Sequence, residues 1–402
     1  MTTTTTGEHA IPRGFRAAAT AAGIKKSGKP DLALIVADSE ATCAGVFTRN
    51  QVVAAPVELC RPLAASGRCR AILVNSGNAN ACTGAPGLAA ARESAELVGA
   101  ALDIAEERVA VCSTGVIGVP LPLAPFRSHV PQLAAALSAE RFADVAKAMM
   151  TTDAFPKLAS RTVRLGAMDC RILALAKGAG MIHPDMATML CFVLTDAGLD
   201  AALADRLLRR AVEASFNRIT VDRDTSTNDT VLLLANGAAG AAPLTADAAE
   251  VEPFAAALDD LLLELAKMIA KDGEGATKLV RIDVEGARND DDALKVARSV
   301  ATSQLVKTAL FGQDANWGRI IAAAGYAGAE LDQSRVAIRF NEVPMVANGL
   351  GLGADQEALA TAVMQLPEFT ITLSLGLGTG NAYYYTADLG YEYVRINADY
   401  RT

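Results

Sequence analysis

The chain has 402 residues, of which 51% are hydrophobic and 20% are charged, and its net charge is −8. This composition excludes a largely disordered or fibrous protein, and the length allows two or three domains or one large one. The acidic balance and the absence of a prominent Lys/Arg cluster in the sequence argue against nucleic acid as a partner. The seven cysteines form no C-x-x-C pair, so neither a zinc ribbon nor a disulfide framework is predicted.

Two segments bear on targeting and on membrane insertion. The opening MTTTTTGEHAIPRGF contains no apolar region typical of a secretory signal. The most apolar later stretch, residues 254–270, is interrupted by charged residues, which predicts an amphipathic helix and not a membrane span. We therefore expect a soluble, cytoplasmic protein with no membrane partner.

Short apolar runs rich in β-branched residues alternate with longer helical periods, which predicts a mixed α and β (α/β) protein built from layered helices and sheets. Strands are predicted near residues 31–38, 71–75, 108–112, 161–166, 171–175, 189–195, 229–235, 279–284, 335–340 and 368–374. Helices are predicted near residues 88–105, 131–149, 199–216, 254–270, 290–310 and 355–365. The stretch 236–249 is the most linker-like, and a surface loop between a strand and a helix explains it equally well.

Familiar cofactor patterns are incomplete in this chain. The three histidines are scattered, so no metal-ligand spacing is present and no metal is expected. Residues 349–355 and 376–381 contain G-x-G fragments without the complete strand, G-x-G-x-x-G and helix unit of a dinucleotide site, and turn glycines explain them better. Residues 272–278 lack the spacing of a phosphate-binding loop. We therefore expect no cofactor.

The informative stretch runs from Leu173 to Gly198, where a loop containing glycine and proline separates two apolar runs. Thr188 follows this loop, and by itself such a threonine is most simply a β-branched strand residue. The functional alternative is that the Thr188 hydroxyl attacks the carbonyl of Ala187, cuts the chain and becomes an N-terminal nucleophile. Its new α-amine, with a pKa of about 7.7–8.0, then accepts the hydroxyl proton near neutral pH without a histidine.

An acyl-enzyme also needs hydrogen-bond donors for the oxyanion of its tetrahedral intermediates. The strand predicted at 108–112 runs into Ser113, Thr114 and Gly115. The hydroxyl and N–H groups of this turn are candidates for the oxyanion hole. A plain turn from a strand into a loop is the alternative explanation.

Seven motifs together resemble the ornithine acetyltransferase family, also called glutamate N-acetyltransferases. They are CSTGVIG (112–118), MTTDAFPK (150–157), KGAGMIHPDMATML (177–190), VDRDTSTNDT (221–230), DGEGATK (272–278), FGQDANWGRI (311–320) and RINADYRT (395–402). The resemblance runs in register from about Gly14 to Thr402. It therefore covers nearly the whole chain.

This resemblance implies a self-cleaving threonine acyltransferase of arginine biosynthesis, which moves the acetyl group of N2-acetylornithine to glutamate by a ping-pong reaction through an acetyl-threonine. It implies cleavage between Ala187 and Thr188 into an alpha chain, 1–187, and a beta chain, 188–402, assembled as a tetramer of two of each. The structural domain border need not coincide with the cleavage point. The resemblance also implies an α/β fold distinct from the sandwich of classical N-terminal-nucleophile hydrolases.

The same resemblance assigns residues to roles by motif position. Thr188 corresponds to the nucleophile, and Thr114 with Gly115 corresponds to the oxyanion hole. The family's substrate-binding positions correspond to Thr152, Lys177, Thr188, Glu274, Asn397 and Thr402.

Elementary chemistry agrees with several of these roles. Lys177 suits a substrate carboxylate and Glu274 suits an ammonium group, although a solvated strand-end lysine and a solvated loop carboxylate are the alternatives. Asn397 and Thr402 lie at the C-terminus, where fraying is the default. If they bind substrate, the tail must be docked.

Two rival functions stay open at this point. A self-cleaving threonine peptidase or amidase would share Thr188 and the turn at 114–115 but would pass the acyl group to water. A small-ligand-binding protein would keep the bond before Thr188 intact. The sequence leaves open whether acetyl-CoA is a second acetyl donor, and it assigns no role to Trp317 or His183.

Overall fold

The computed structural model describes residues 9–183 and 189–399, in which the chain forms fifteen strands and eleven α-helices. The strands are β1 (Phe15–Thr20), β2 (Leu32–Phe47), β3 (Arg68–Asn78), β4 (Val109–Val116), β5 (Lys157–Leu165), β6 (Met168–Lys177), β7 (Leu190–Thr195), β8 (Ile219–Thr220), β9 (Thr230–Ala235), β10 (Leu279–Ala287), β11 (Ala337–Phe340), β12 (Val343–Ala347), β13 (Leu350–Gly351), β14 (Glu368–Ser374) and β15 (Gly380–Ala387). The helices are α1 (Ala55–Ala65), α2 (Gly84–Leu102), α3 (Leu123–Ala135), α4 (Phe142–Met149), α5 (Ala201–Glu213), α6 (Val251–Lys271), α7 (Asp290–Thr302), α8 (Gln304–Phe311), α9 (Trp317–Gly325), α10 (Ala354–Met364) and α11 (Tyr391–Asp399). The predicted mixed α/β class is confirmed.

The first sheet contains eight strands. Seven follow the order β4–β3–β2–β9–β7–β6–β5, and β1 pairs with β2 outside this path. Strands β6 and β7 form an antiparallel pair in which Lys177 lies opposite Leu190. Strands from both sides of position 188 therefore belong to one sheet.

The second sheet has the order β13–β12–β11–β14–β10–β15–β8, and all of these strands follow residue 188. Helix α6 packs against strands of both sheets. Its apolar face joins a buried core that includes Leu279 of β10 and Tyr385 of β15, while Asp260 and Glu264 of α6 pair with Arg161 of β5. The amphipathic helix predicted at 254–270 is confirmed. None of the helices in the described ranges combines the length and the apolarity that crossing a membrane requires.

Helices α1 to α4 cover other parts of the first sheet. Apolar residues of α2 and α3 pack with β1 to β4 in one core, and residues of α4 pack with β1, β2, β6 and β7 in another. The stretch 236–249 is a loop between β9 and α6. Its Leu244 is buried, forms an isolated β-bridge with Leu199 and donates its N–H to the Gly198 carbonyl at 2.9 Å. The surface-loop interpretation of this stretch therefore fits better than a linker between domains.

Two predicted helices are each divided in the structure, so the single helices predicted at 131–149 and 290–310 are wrong. Between α3 and α4, Ser138 exchanges backbone hydrogen bonds of 2.9 and 3.0 Å with Ala17 of β1, and this strand-like pairing interrupts the helix. Between α7 and α8, the Ser303 side chain accepts the N–H of Val306 at 3.4 Å and caps the second helix.

Candidate active site

A cavity of about 210 Å³ gathers residues that are far apart in the sequence. Its lining includes six of the predicted site residues, namely Thr114, Gly115, Thr152, Lys177, Glu274 and Asn397. The predicted nucleophile Thr188, its neighbour Ala187 and the C-terminal Thr402 lie outside the described residues. We call this space the active-site cavity.

The turn at the end of β4 requires glycine at position 115. Gly115 has a φ of +132°, and a Cβ added to it would overlap the backbone of Gly77 and Asn78 on β3. Strands β3 and β4 are parallel, and their register shifts at this point. The close approach of the two strands therefore fixes the backbone that follows Thr114.

The side chains of Thr114 and Lys177 meet inside the cavity. The Lys177 ammonium donates a hydrogen bond of 3.2 Å to the Thr114 hydroxyl oxygen, and both side chains are buried. Because the hydroxyl oxygen is the acceptor here, its own proton is available for a second partner. Burial lowers the pKa of Lys177, against the opposing effect of the Asp153 carboxylate. Lys177 is therefore a buried residue and not a solvated lysine at the end of a strand.

Glu274 and Asn397 form the other polar pair of the cavity. The Asn397 amide donates to a Glu274 carboxylate oxygen at 2.7 Å, which joins α11 to the loop after α6. Glu274 is only 8% exposed. Its carboxylate lies where a Cβ on Gly180 would stand, so glycine at that position makes room for it. The described part of the C-terminus is therefore a docked helix, and the alternatives of a solvated carboxylate and a frayed Asn397 do not apply.

A buried ion network, which the sequence reasoning missed, holds the backbone around these residues. Lys157 lies between the carboxylates of Asp153 and Asp272, at 2.7 and 2.5 Å. Asp153 also accepts the N–H of Gly178 at 2.7 Å and of Thr151 at 3.0 Å. Burial opposes the ionisation of Asp153, but Lys177 and Lys157 outweigh it and hold its pKa at about 2. The signal in the sequence was the position of Asp153, Lys157 and Asp272 inside two of the quoted motifs.

A second carboxylate holds the loop that leads toward residue 184. Asp222 accepts the N–H groups of Met181 at 2.5 Å and Ile182 at 2.8 Å, and Met181 has a positive φ of +56°. Burial raises the pKa of Asp222, while its backbone hydrogen bonds act in the opposite direction. Asp222 therefore stabilises a backbone conformation that a residue other than glycine seldom adopts.

Asp229 contacts the backbone of Met189, the residue that follows position 188. Its carboxyl group is completely buried, and one oxygen accepts the N–H of Met189 at 2.8 Å. Among the described atoms the other oxygen has no hydrogen-bond partner. Burial raises the pKa of Asp229 well above its usual range, although Lys177 opposes the shift. Since Met189 directly follows Thr188, Asp229 is a further residue that sequence reasoning missed.

His183 and Trp317, to which the sequence assigned no role, lie elsewhere. The His183 ring contacts the Thr220 hydroxyl at 3.3 Å and lines a different, open cavity of about 690 Å³. Trp317 begins α9, packs at the core of the second sheet and lies against Gly351. Within residues 9–183 and 189–399, no group of three or more His, Cys, Asp or Glu side chains is arranged to hold a metal ion.

Comparison with known proteins shows the family to which the chain belongs. The ArgJ family model matches residues 16–402. The chain is 58% identical over 389 residues to the arginine biosynthesis bifunctional protein ArgJ of Syntrophotalea carbinolica, covering 97% of this chain and 99% of the relative. It is 54% identical over 390 residues to the protein of that name from Geobacter sulfurreducens, with coverage of 97% and 99%. The chain therefore belongs to the ArgJ family, which confirms the resemblance stated from the motifs.

A solved structure is also similar. The crystal structure of the arginine biosynthesis bifunctional protein ArgJ from Bacillus halodurans is 43% identical to this chain and matches it with a TM-score of 0.50. The match covers 98% of the solved chain but 52% of this one. The solved chain is therefore about half as long as this sequence.

Proposed function

We propose that the chain transfers the acetyl group of N2-acetylornithine to glutamate through an acetyl ester on Thr188. Membership of the ArgJ family makes it an acetyltransferase of arginine biosynthesis. The observation that carries the proposal is the active-site cavity, in which the Thr114–Lys177 pair and the Glu274–Asn397 pair line one small space. Opposite charges in a space of this size suit an amino-acid substrate with a carboxylate and an ammonium group.

In this proposal the two charged residues orient the substrates. Lys177 pairs with a substrate carboxylate, and Glu274 holds the side-chain ammonium of ornithine or the attacking amine of glutamate. Both side chains are buried and each already has a fixed hydrogen-bond partner. Little side-chain freedom is then lost when the substrate binds, which favours a productive orientation.

The chemical steps follow from the chain's own groups. The Thr188 hydroxyl attacks the acetyl carbonyl of N2-acetylornithine while the Thr188 α-amine accepts the hydroxyl proton, and ornithine leaves as the amine. The glutamate amine then attacks the acetyl ester and restores the threonine. Both steps pass through an oxyanion, for which the proton of Thr114 and the N–H of Gly115 are the proposed donors.

The exchange replaces one secondary amide by another, so it needs no external energy source. We accordingly propose a reaction without metal or bound cofactor. Water competes with glutamate for the acetyl group, and the burial of Thr114, Lys177 and Glu274 limits this competition. The rival peptidase or amidase would pass the acetyl group to water in preference to glutamate and would release acetate.

The same proposal requires cleavage of the bond between Ala187 and Thr188, giving chains of residues 1–187 and 188–402. Strands β6 and β7 on either side of this bond pair with each other, so both chains would stay in one sheet. The half-length chain of the Bacillus halodurans relative supports a two-chain enzyme. A tetramer of two alpha and two beta chains is part of the proposal.

The relatives are called bifunctional, and this name supports a second activity. We assign to it the acetylation of glutamate from acetyl-CoA, which would form the same acetyl-threonine. Only the donor and the leaving group would differ.

The test is product analysis with purified protein. Incubation with N2-acetylornithine and glutamate should yield N-acetylglutamate and ornithine in equal amounts. Mass spectrometry measures both products. Incubation with the donor alone should leave an acetyl group on the chain that begins at Thr188. Release of acetate without transfer would support the amidase, and an uncut chain that binds N2-acetylornithine without turnover would support the ligand-binding protein.

A further inference from the structure

A second and larger cavity, of about 1020 Å³, adjoins the active-site cavity. Thr151 lines both spaces. Gly77 and Asn78, which also line the larger cavity, are the residues whose backbone lies against Gly115. The larger cavity therefore reaches the turn that we propose as the oxyanion hole. We call it the lysine groove.

Four lysines line this groove, and the fold brings them together from two parts of the chain. Lys25, Lys26 and Lys29 lie in the loop between β1 and β2, and Lys147 lies in the last turn of α4. Lys26, Lys29 and Lys147 are exposed, and none of the three has a carboxylate of the described residues within ion-pairing distance. The chain as a whole has a net charge of −8, but this local concentration of positive charge attracts anions.

Two carboxylates also line the groove. Asp153 is buried and already pairs with Lys157. Asp399, in the last turn of α11, is exposed. One exposed carboxylate therefore faces four lysines, and the groove carries an excess of positive charge.

Lys25 differs from the other three because its role is partly structural. Its ammonium donates to the carbonyl oxygens of Pro30 at 2.9 Å and Ala148 at 3.3 Å. This contact joins the β1–β2 loop to the end of α4. Burial lowers the pKa of Lys25 to about 8, although Asp31 and Asp153 oppose the shift.

The rest of the groove is largely apolar. Its lining includes Ile24, Val116, Val119, Pro120, Pro122 and Met150. Its volume is several times that of the active-site cavity and exceeds what N2-acetylornithine or glutamate requires. The groove therefore suits an elongated ligand with an anionic part and a less polar arm.

We propose that the lysine groove binds the phosphates of a nucleotide thioester, the chemical class of acetyl-CoA, and leads its acyl end past Thr151 into the active-site cavity. This inference rests on the proposed function, in which such a thioester is the second acetyl donor. The hydroxyl oxygen of Thr188 attacks the thioester carbonyl, the C–S bond breaks and an ester C–O bond forms. The hydroxyl proton is passed to the sulfur, so the carrier leaves as a free thiol. N2-acetylornithine carries no phosphate, and its use does not depend on the groove.

The test compares two triple variants of the full chain. Lys26→Ala/Lys29→Ala/Lys147→Ala removes three charges from the groove and spares Lys25. The control removes three exposed cations that line neither cavity, by Arg92→Ala/Arg206→Ala/Lys271→Ala. Binding of coenzyme A, which has no acyl group, is measured by calorimetry, and the KM for acetyl-CoA is measured in parallel with transfer from N2-acetylornithine.

The groove variant should bind coenzyme A about tenfold more weakly or worse and show a similar rise in the KM for acetyl-CoA, because charge pairs with the phosphates are lost. Its transfer from N2-acetylornithine should stay within about twofold of the parent, since that donor makes no phosphate contact. A variant with arginine at the same three positions keeps the charges and should retain binding of coenzyme A.

Several results would contradict the proposed binding of coenzyme A in the lysine groove. These are unchanged binding of coenzyme A in the groove variant, an equal loss in the control variant, or binding of pantetheine by the parent as tightly as coenzyme A. A parent that transfers from N2-acetylornithine but binds no coenzyme A would contradict binding in the groove and the second activity, and it would leave the proposed transfer from N2-acetylornithine in place. A parent without transfer from N2-acetylornithine would contradict the proposed function itself.

Discussion

The active-site cavity and the lysine groove share a border but hold their charges in different ways. Lys177 and Glu274 in the cavity are buried, and each has a partner within 3.2 Å. The lysines at positions 26, 29 and 147 are exposed and lack carboxylate partners among the described residues. Fixed, buried charges orient a small substrate for reaction. Exposed lysines are flexible point charges that attract a phosphate without setting its geometry.

This difference has a consequence for mutations. Changes in the active-site cavity should affect every acetyl donor, because all donors form the same intermediate there. Changes in the lysine groove should affect one donor only.

The largest effect is expected at the nucleophile. A Thr188→Ala protein should run as one full-length chain and should transfer no acetyl group from either donor, because both cleavage and ester formation need the hydroxyl. Denaturing electrophoresis and the two transfer assays measure these outcomes. Efficient cutting of the variant at the same bond would show that another group performs the cleavage.

The second largest effect is expected on the free energy of unfolding, where a buried ion pair is compared with an exposed one. Lys157→Met leaves the carboxylates of Asp153 and Asp272 unpaired in the interior, so the free energy of unfolding should fall by about 3–5 kcal/mol. The matched control is Lys271→Met, which breaks an exposed pair with Glu368 and should cost at most about 1 kcal/mol. Urea unfolding monitored by circular dichroism measures both, and equal losses would contradict the assignment of Lys157 to the buried network.

The same network predicts how stability changes with pH. The pKa of Asp153 is about 2 in the folded chain, below the value of about 3.9 for an unfolded aspartate. Its contribution is therefore fully present above pH 4 or so and is lost as the pH falls toward 2. The parent should lose more stability over this acid range than Lys157→Met does, because the variant has already lost the pair.

A smaller effect is expected at the proposed oxyanion donor. Thr114→Ala should slow acetylation of the enzyme by about a hundred- to a thousandfold, or roughly 2.7–4 kcal/mol, because one donor to the oxyanion is lost. The slowing should be similar for N2-acetylornithine and acetyl-CoA, in contrast to the groove variant. Thr114→Ser keeps the hydroxyl and is the control. Burst kinetics on the cleaved protein measure this step, and a burst as fast as the parent's would leave Thr114 as a turn residue only.

The sequence predicted the fold class, and its motifs indicated residues that the fold brings together in one cavity. Thr114, Lys177, Glu274 and Asn397 lie in four separate motifs of the sequence, and all four line one cavity. Periodicity also predicted α6, because its apolar and charged residues alternate with the helical repeat.

What the sequence could not predict depends on contacts between distant segments. The divided helix at 131–149 depends on Ser138 pairing with Ala17, more than a hundred residues away. Asp229 reads as a polar residue before a strand, and only the fold shows that it holds the N–H of Met189. The lysine groove depends on α4 lying beside the β1–β2 loop, where the Lys25 ammonium donates to the Ala148 carbonyl at 3.3 Å.

The smallest effect is expected at His183, the histidine nearest to the cleavage site. Its ring contacts Thr220 and lines the separate cavity of about 690 Å³, and it is not among the described residues that line the active-site cavity. The rate of acetyl transfer by cleaved His183→Asn should therefore stay within about tenfold of the parent's rate. We expect any loss to come from small shifts of the loop that contains His183. The pH profile is the sharper measurement, since the base proposed is the Thr188 amine with a pKa of about 7.7–8.0. The variant and the parent should show the same lower limb, and a limb that disappears in the variant, together with a thousandfold loss of transfer, would identify His183 as the base.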